Sequence, residues 1–292
     1  MTYFTIAGVQ MSAPHHGDNT QLMHHNIDVI MHRFPQVQMI VFSELLASGA
    51  STLNAQVLPS GVENLFCQLA AQHQVWVIPG SLFERIDDKI YNTSPVINPE
   101  GHVVARYRKM FPFRPYEHDV ECGSEFVVFD VPEVGRFGIS ICYDMWFPET
   151  TRTMVAMGAE VIIHPTMTDT IDRDIELSIA RTNAATNQCY FFDINGTGGI
   201  GNGRSIVVGP SGDVIHQAGS GEEIMPVEID LGRVRHEREC GLRGLGQPLK
   251  SFRDRQVDFS LYRAETKSTP FLDTLGPLAK PTKKPVTGFS GT

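Results

Sequence analysis

The chain has 292 residues, 41% of them hydrophobic and 20% charged, and a formal net charge of -9. That length buries a sizeable core in one large domain or two small ones, and the composition is that of an ordinary globular protein. The negative balance counts against nucleic acid and anionic membrane as partners. No apolar run reaches membrane-spanning length.

In chain order, residues 4–10 read as a strand. The segment before and within it has no basic leader and no small-residue cleavage site, so no secretory signal is expected. Five cysteines, an odd number with no CxxC spacing, fit neither a disulfide framework nor a thiolate zinc site. Together these features place the protein in a reducing cytoplasm. A helix is predicted over 16–33, with Asp18 or Asn19 as its cap. The strand 39–42 runs into Ser43 and Glu44, followed by a helix over 62–73 and a strand over 75–80. Strands 91–97 and 103–107 form a hairpin about Asn98-Pro99-Glu100-Gly101. Strands follow over 126–131 and 136–141, then a helix over 149–157, a strand over 161–164, a long helix over 172–186 and a strand over 190–194. A second hairpin joins 205–208 to 214–217 about Pro210-Ser211-Gly212-Asp213, and 227–230 is the last strand.

Strands that alternate with helices predict layered α/β packing, and the two hairpins make the sheets mixed. No boundary rich in Gly, Ser or Pro divides the first 265 residues, which predicts one catalytic domain over 1–265. From 266 to 292 the composition turns to Lys, Pro, Thr and Gly, and such a tail cannot build its own core. It is expected to be disordered or to lie on a neighbouring subunit.

The most informative position is Cys142, at the end of the run Phe137-Gly138-Ile139-Ser140-Ile141-Cys142 and just before a predicted helix start at Pro148-Glu149-Thr150. Reacting groups belong at that edge of an α/β sheet. A thiol at a strand-to-helix turn can be lowered in pKa and made nucleophilic; a buried structural cysteine is the alternative. A nucleophile needs a proton acceptor and an oxyanion stabiliser. Glu44, ending a strand among apolar residues, has the raised pKa that suits a general base. Lys109, following the strand 103–107, offers a fixed positive charge.

Glu44, Lys109 and Cys142 stand in the order and contexts of the nitrilase (carbon–nitrogen hydrolase) superfamily, which the chain resembles. The contexts are Val41-Phe42-Ser43-Glu44, Tyr107-Arg108-Lys109 and Ser140-Ile141-Cys142-Tyr143-Asp144 with Phe147-Pro148-Glu149. The resemblance continues through Gly158-Ala159-Glu160, Ala180-Arg181, Asn187, Asn195 and Gly203-Arg204-Ser205. It implies a four-layer αββα sandwich, a Glu-Lys-Cys triad and no cofactor or metal. It also implies a homodimer or larger homo-oligomer. Cys142 would form a thioester, Glu44 would act as base, and Lys109 would stabilise the tetrahedral intermediates with the backbone N–H of Tyr143.

The segment Lys109-Met110-Phe111-Pro112-Phe113-Arg114-Pro115-Tyr116-Glu117 is similar to that of aliphatic amidases and formamidases, where a second glutamate positions the substrate. Glu117 fits that place and Glu121 competes for it. Tyr143-Asp144 after the cysteine resembles the amidase branch rather than nitrile-hydrolysing members, and Ser43 departs from the proline frequent before the glutamate. The expected activity is hydrolysis of a small carboxamide. Alternatives are an N-carbamoyl amide hydrolase, an acyltransferase and a non-catalytic scaffold. Trp146, His164 and the loop Met167-Thr168-Asp169 are further pocket candidates, and Arg114 is a candidate partner for a substrate carboxylate. Gly196-Thr197-Gly198-Gly199-Ile200-Gly201 fits a dinucleotide fingerprint, but a strand rather than a helix is predicted after it. His15, His16, His24, His25 and His32 read as a solvated helix face, and Cys67 and Cys189 as core.

Overall fold

The computed structural model describes residues 3–263 and 268–280. In chain order the strands are β1 (Tyr3–Gln10), β2 (Ser12–Ala13), β3 (Met39–Phe42), β4 (Trp76–Ile78), β5 (Leu82–Ile86), β6 (Lys89–Ile97), β7 (Val103–Arg108), β8 (Val127–Val131), β9 (Gly135–Ile139), β10 (Val161–Pro165), β11 (Tyr190–Ile194), β12 (Thr197–Gly198), β13 (Ile206–Val208), β14 (Val214–Gln217) and β15 (Glu223–Asp230). The helices are α1 (Thr20–Arg33), α2 (Gly61–His73), α3 (Pro148–Ala156), α4 (Arg173–Asn187), α5 (Leu231–Cys240) and α6 (Pro248–Arg253).

Two mixed sheets carry the fold. The first has the order β15-β1-β3-β4-β6-β5, with β7 also on β6; the second has the order β14-β13-β11-β10-β9-β8. In each, a parallel centre is flanked by antiparallel strands: β1 pairs in parallel with β3 and β10 with both β9 and β11. Both predicted hairpins form, β6 with β7 and β13 with β14.

Side-chain alternation along these strands sorts the core into three seams. Phe4, Ile6, Met39 and Val41 of the first sheet meet Phe137, Val161, Ile163, Tyr190, Phe192 and Ile194 of the second. The residues between them, Ala7, Val9, Ile40 and Phe42, face Met23, Ile27 and Ile30 of α1 and Phe66, Leu69 and Ala70 of α2. On the far side Ile162 and Phe191 face Met154 and Val155 of α3 and Leu177, Ala180 and Ala184 of α4. The layers are therefore α, β, β, α. Because the central seam is buried on both sides, the strands read as nearly continuous apolar runs.

Several elements differ from the sequence expectation. The first helix starts at Thr20, because the Asp18 carboxylate accepts from the Thr20 backbone N–H at 2.9 Å and its hydroxyl at 2.6 Å. His16 lies ahead of it, bridged to Gly49. The unforeseen β5 pairs with β6; its Glu84, 5% exposed, is held by Arg108 at 2.7 Å, so a charge sits in the middle of the strand and interrupts its apolar pattern. The last strand begins at Glu223 and runs through Pro226, which is tolerated because β15 is an edge strand. Helices α5 and α6 lie beyond the last predicted element.

Among the described residues no helix is long and apolar enough to cross a membrane. Residues 266–267 and 281–292 of the predicted tail lie outside the described residues. Of the rest, Lys280 places its ammonium 5.3 Å from the Tyr116 ring of the same chain.

Phe192 is fully buried at the centre of the inter-sheet seam. Truncation by Phe192→Ala removes its contacts and leaves a cavity, so chemical denaturation should show a loss of about 3–5 kcal/mol.

Candidate active site

Glu44 follows β3 and is anchored to the opposite sheet, its N–H donating to the Thr166 carbonyl at 3.2 Å. The turn is tight. Gly80 has φ +79° and a Cβ there would lie 1.8 Å from the Ser43 carbonyl oxygen, so only glycine fits. Lys109 follows β7, with its N–H on the Asn92 carbonyl at 2.8 Å. Cys142 follows β9 at φ 48°, the left-handed region that costs a non-glycine residue about 1–3 kcal/mol and recurs at functional sites. It opens a short 3-10 turn, Cys142–Trp146.

These three strand ends and the loop carrying Glu117 meet at one cavity of about 450 Å³, lined by Glu44, Lys109, Glu117 and Cys142 among others. Lys109 is 1% exposed and its Nζ donates to Glu44 Oε1 at 2.8 Å and Glu117 Oε2 at 2.9 Å. Glu44 Oε1 also accepts from Asn92 Nδ2 at 2.7 Å, while Oε2 is buried and takes no such bond. Glu117 Oε2 accepts in addition from the Phe113 backbone N–H.

The electrostatics follow from this packing. Burial works against the Lys109 charge, but Glu44, Glu117 and Cys142 around it raise its pKa well above the usual lysine value. Burial raises the Glu44 pKa; Lys109 opposes this and the charge of Glu117 adds to it. At Glu117, burial is outweighed by Lys109 and by its hydrogen bonds, and its pKa falls. Of the two carboxylates that share the lysine, Glu44 is the readier proton acceptor. Burial and Glu44 raise the Cys142 pKa well above the usual thiol value, with Lys109 opposing. This corrects the expected lowering: the short turn does not offset desolvation, and the resting group is a thiol.

A second cavity of about 600 Å³ opens on the other side of Cys142, against Tyr143, Trp146, Thr168 and Glu176. The Tyr143 ring stands edge-on to Phe113 at 5.0 Å and Phe147 at 5.3 Å. Both expected aromatic residues therefore border the cavity. His164 does not. It is fully buried behind the cysteine, with Nδ1 2.8 Å from the Ser140 hydroxyl and Nε2 donating to the Cys142 carbonyl at 3.1 Å. Burial, and then Arg173, push its pKa down to about 3, so it holds the cysteine turn as a neutral ring. Glu121 is exposed, with its N–H on the Ile90 carbonyl, which leaves Glu117 as the glutamate beside Lys109. Arg114 folds back to donate to the Val120 carbonyl at 2.9 Å. The glycine run contains the short strand β12 and is followed by β13, so no helix N-terminus follows it. His15 and His16 line the cavity with Glu44 and Cys142 rather than a helix face.

The carbon–nitrogen hydrolase family profile matches residues 5–239. The chain belongs to the carbon–nitrogen hydrolase superfamily. It is 30% identical over 253 residues to an omega-amidase of Saccharomyces cerevisiae, covering 77% of this chain and 86% of that one. It is 29% identical over 211 residues to a 2-oxoglutaramate amidase of Bacillus subtilis strain 168, covering 69% and 81%. The crystal structure of Saccharomyces cerevisiae Nit3, a member of branch 10 of the nitrilase superfamily, superposes with a TM-score of 0.74 at 29% identity, covering 82% of this chain and 94% of that one. Like these relatives, this carbon–nitrogen hydrolase acts on C–N bonds other than peptide bonds.

Sequence reasoning missed the residues that hold the hydrolase's site together. Asn92, on β6, aims its amide at Glu44. Tyr107, on β7, donates its hydroxyl to Asp144 Oδ2 at 2.6 Å. Asp144 in turn accepts from the Ile141 N–H at 2.9 Å and the Phe111 N–H at 2.9 Å, so one carboxylate clamps the cysteine turn to the lysine loop. A buried polar residue within a strand was the signal available for Asn92; Tyr107, between Arg106 and Arg108, gave none.

Burial raises the Asp144 pKa to about 6, against the hydrogen bonds of Tyr107 and Ile141. Tyr107→Phe removes one of those bonds and should lower stability by about 1–3 kcal/mol at neutral pH. A carboxyl with a folded pKa above its unfolded value favours the folded state at low pH, and this is lost as pH rises through the folded value. With one opposing bond gone the Asp144 pKa rises further. The destabilisation, read from denaturation at pH 5 and pH 8, should therefore be smaller at pH 5.

Proposed function

We propose that this hydrolase is an amidase that cleaves the C–N bond of a small carboxamide to the acid and ammonia through a thioester on Cys142. The observation that carries the reading is the convergence of Glu44, Lys109, Glu117 and Cys142 on one cavity. There, one buried ammonium is shared by two carboxylates of unequal basicity.

The chemistry follows the protons. As Sγ attacks the amide carbon, the thiol proton passes to Glu44, whose Oε2 is the carboxylate oxygen free to take it. Negative charge develops on the amide oxygen and is met by the Lys109 ammonium. The Tyr143 N–H, in the first turn of its short helix, where backbone donors lack an intrahelical acceptor, meets it too. Collapse breaks the C–N bond and Glu44 returns the proton to the departing nitrogen, releasing ammonia. Glu44 then deprotonates a water that attacks the thioester, and the thiol leaves with that proton. Glu117 keeps Lys109 charged and in place without competing for the proton, because its own pKa is lowered.

Cys142→Ala should abolish turnover of an amide series from formamide upward while the fold persists. Mass spectrometry of the wild type quenched during turnover should show an acyl adduct on Cys142. Retained hydrolysis in the variant would refute the proposal, and carbon dioxide among the products of carbamoyl substrates would identify the carbamoyl reaction.

The base must be ionised to act, and its pKa lies above the usual carboxylate value of 4.5. Activity should therefore fall as pH drops through that raised value. Glu44→Gln should reduce kcat by about 10²–10⁴-fold and remove the acid limb from the pH–rate profile.

A further inference from the structure

The four converging groups act on the reacting end of a substrate; the second cavity bears on the other end. Its deepest polar groups are Thr168 and Glu176. Glu176 is 4% exposed, and its position is fixed from two sides. Thr168 Oγ1 donates to Oε1 at 3.0 Å and Arg173 Nη1 donates to Oε2 at 3.1 Å. Arg173, itself 1% exposed, is divided between Glu176, Asp193 at 2.8 Å and the Arg204 carbonyl at 2.8 Å. Each Glu176 oxygen keeps a lone pair beyond these bonds. The residue is close enough to the nucleophile for its charge to act on the Cys142 thiol. Asp169 and Asp172 add two more carboxylates to the same cavity, and no lysine or arginine lines it.

The nearby cations are committed elsewhere. Lys109 is held by Glu44 and Glu117, Arg114 by the Val120 carbonyl, and Lys280 lies over the Tyr116 ring. His15 stands at the exposed mouth, and the His16 ring that packs against it at 4.5 Å lines the first cavity.

We propose that Glu176, set by Thr168 and Arg173, determines specificity by accepting hydrogen bonds from an ammonium group at the far end of the substrate. The hydrolase accordingly prefers carboxamides that carry an amine and discriminates against those that carry a carboxylate. The inference rests on the amidase reading above. A substrate carboxylate would enter a partly desolvated cavity facing three carboxylates whose one buried cation, Arg173, is already shared between Glu176 and Asp193, whereas an ammonium would donate to them.

The test is a matched series in which only the far group changes: β-alaninamide, butyramide and succinamate, with their homologues one methylene longer. For the wild type, kcat/KM should be highest for the ammonium members and at least about tenfold lower for the carboxylate members. Glu176→Gln, nearly isosteric, should narrow that ratio mainly by raising KM for the ammonium members. If that variant does not fold, Thr168→Val should narrow it to a smaller degree. Carboxylate members turned over as well as ammonium members would overturn the inference and leave the amidase reading standing, and so would a ratio unmoved in a folded Glu176→Gln. Absence of turnover for every member would instead count against the amidase reading. Calorimetric binding of the same compounds to the Cys142→Ala protein then decides the charge preference on its own. Tighter binding of the ammonium members supports it, and equal binding, tighter carboxylate binding or no binding overturns it.

Discussion

A buried ammonium cannot stay charged in a protein interior unless carboxylates come with it, and Lys109 brings two. That requirement organises the rest of the molecule. Glu44 has to arrive from the first sheet and Glu117 from the loop after β7. The cavity beside them has to remain dry enough for the fields to matter. Replacing one carboxylate would strand charge in the core. The site is therefore also a structural joint, and its electrostatics set the order of basicity that proton transfer needs.

The two-sheet architecture makes this joint possible. Parallel strands from each sheet end at the same edge, so the Glu44 and Cys142 turns face one another across the inter-sheet seam. Three connections then fix their relative position: the Glu44 N–H on Thr166, the Asp144 clamp between the Ile141 and Phe111 backbones, and the His164 ring under the Cys142 carbonyl. None of them touches the space a substrate would occupy. They determine where the reacting atoms sit, and they hold Cys142 in a left-handed conformation it would not adopt alone.

Much of this was legible in the sequence. Continuous apolar runs marked the central strands, because a strand buried on both faces has a composition no loop shares, and turn residues marked both hairpins. What escaped were elements whose stability comes from a distant partner. The strand β5 carries Glu84 and Arg85 and shows no apolar run; Arg108 neutralises Glu84. The start of α1 was misplaced because Asn19 is tied by its N–H to Ala47, far along the chain. At the site, Glu44, Lys109 and Cys142 stand at strand ends where motifs show. Asn92, Tyr107 and Glu176 lie within strands and a helix, and their direction depends on register. His164 was misjudged for the same reason: the strand end was right, but the ring turns into the protein behind the cysteine.

The contact between Gly80 and the Ser43 carbonyl has a consequence for how the sequence can change. The Glu44 carboxylate is aimed partly by an absent atom. Even one methyl group at position 80 would lever the Ser43–Glu44 peptide away from its neighbours, and the displacement would pass to Thr166 on the other sheet. Position 80 thus carries no chemistry yet acts as a steric stop on the catalytic geometry. A library that diversified the cavity walls while leaving this residue open to variation would lose activity for reasons no inspection of the cavity reveals.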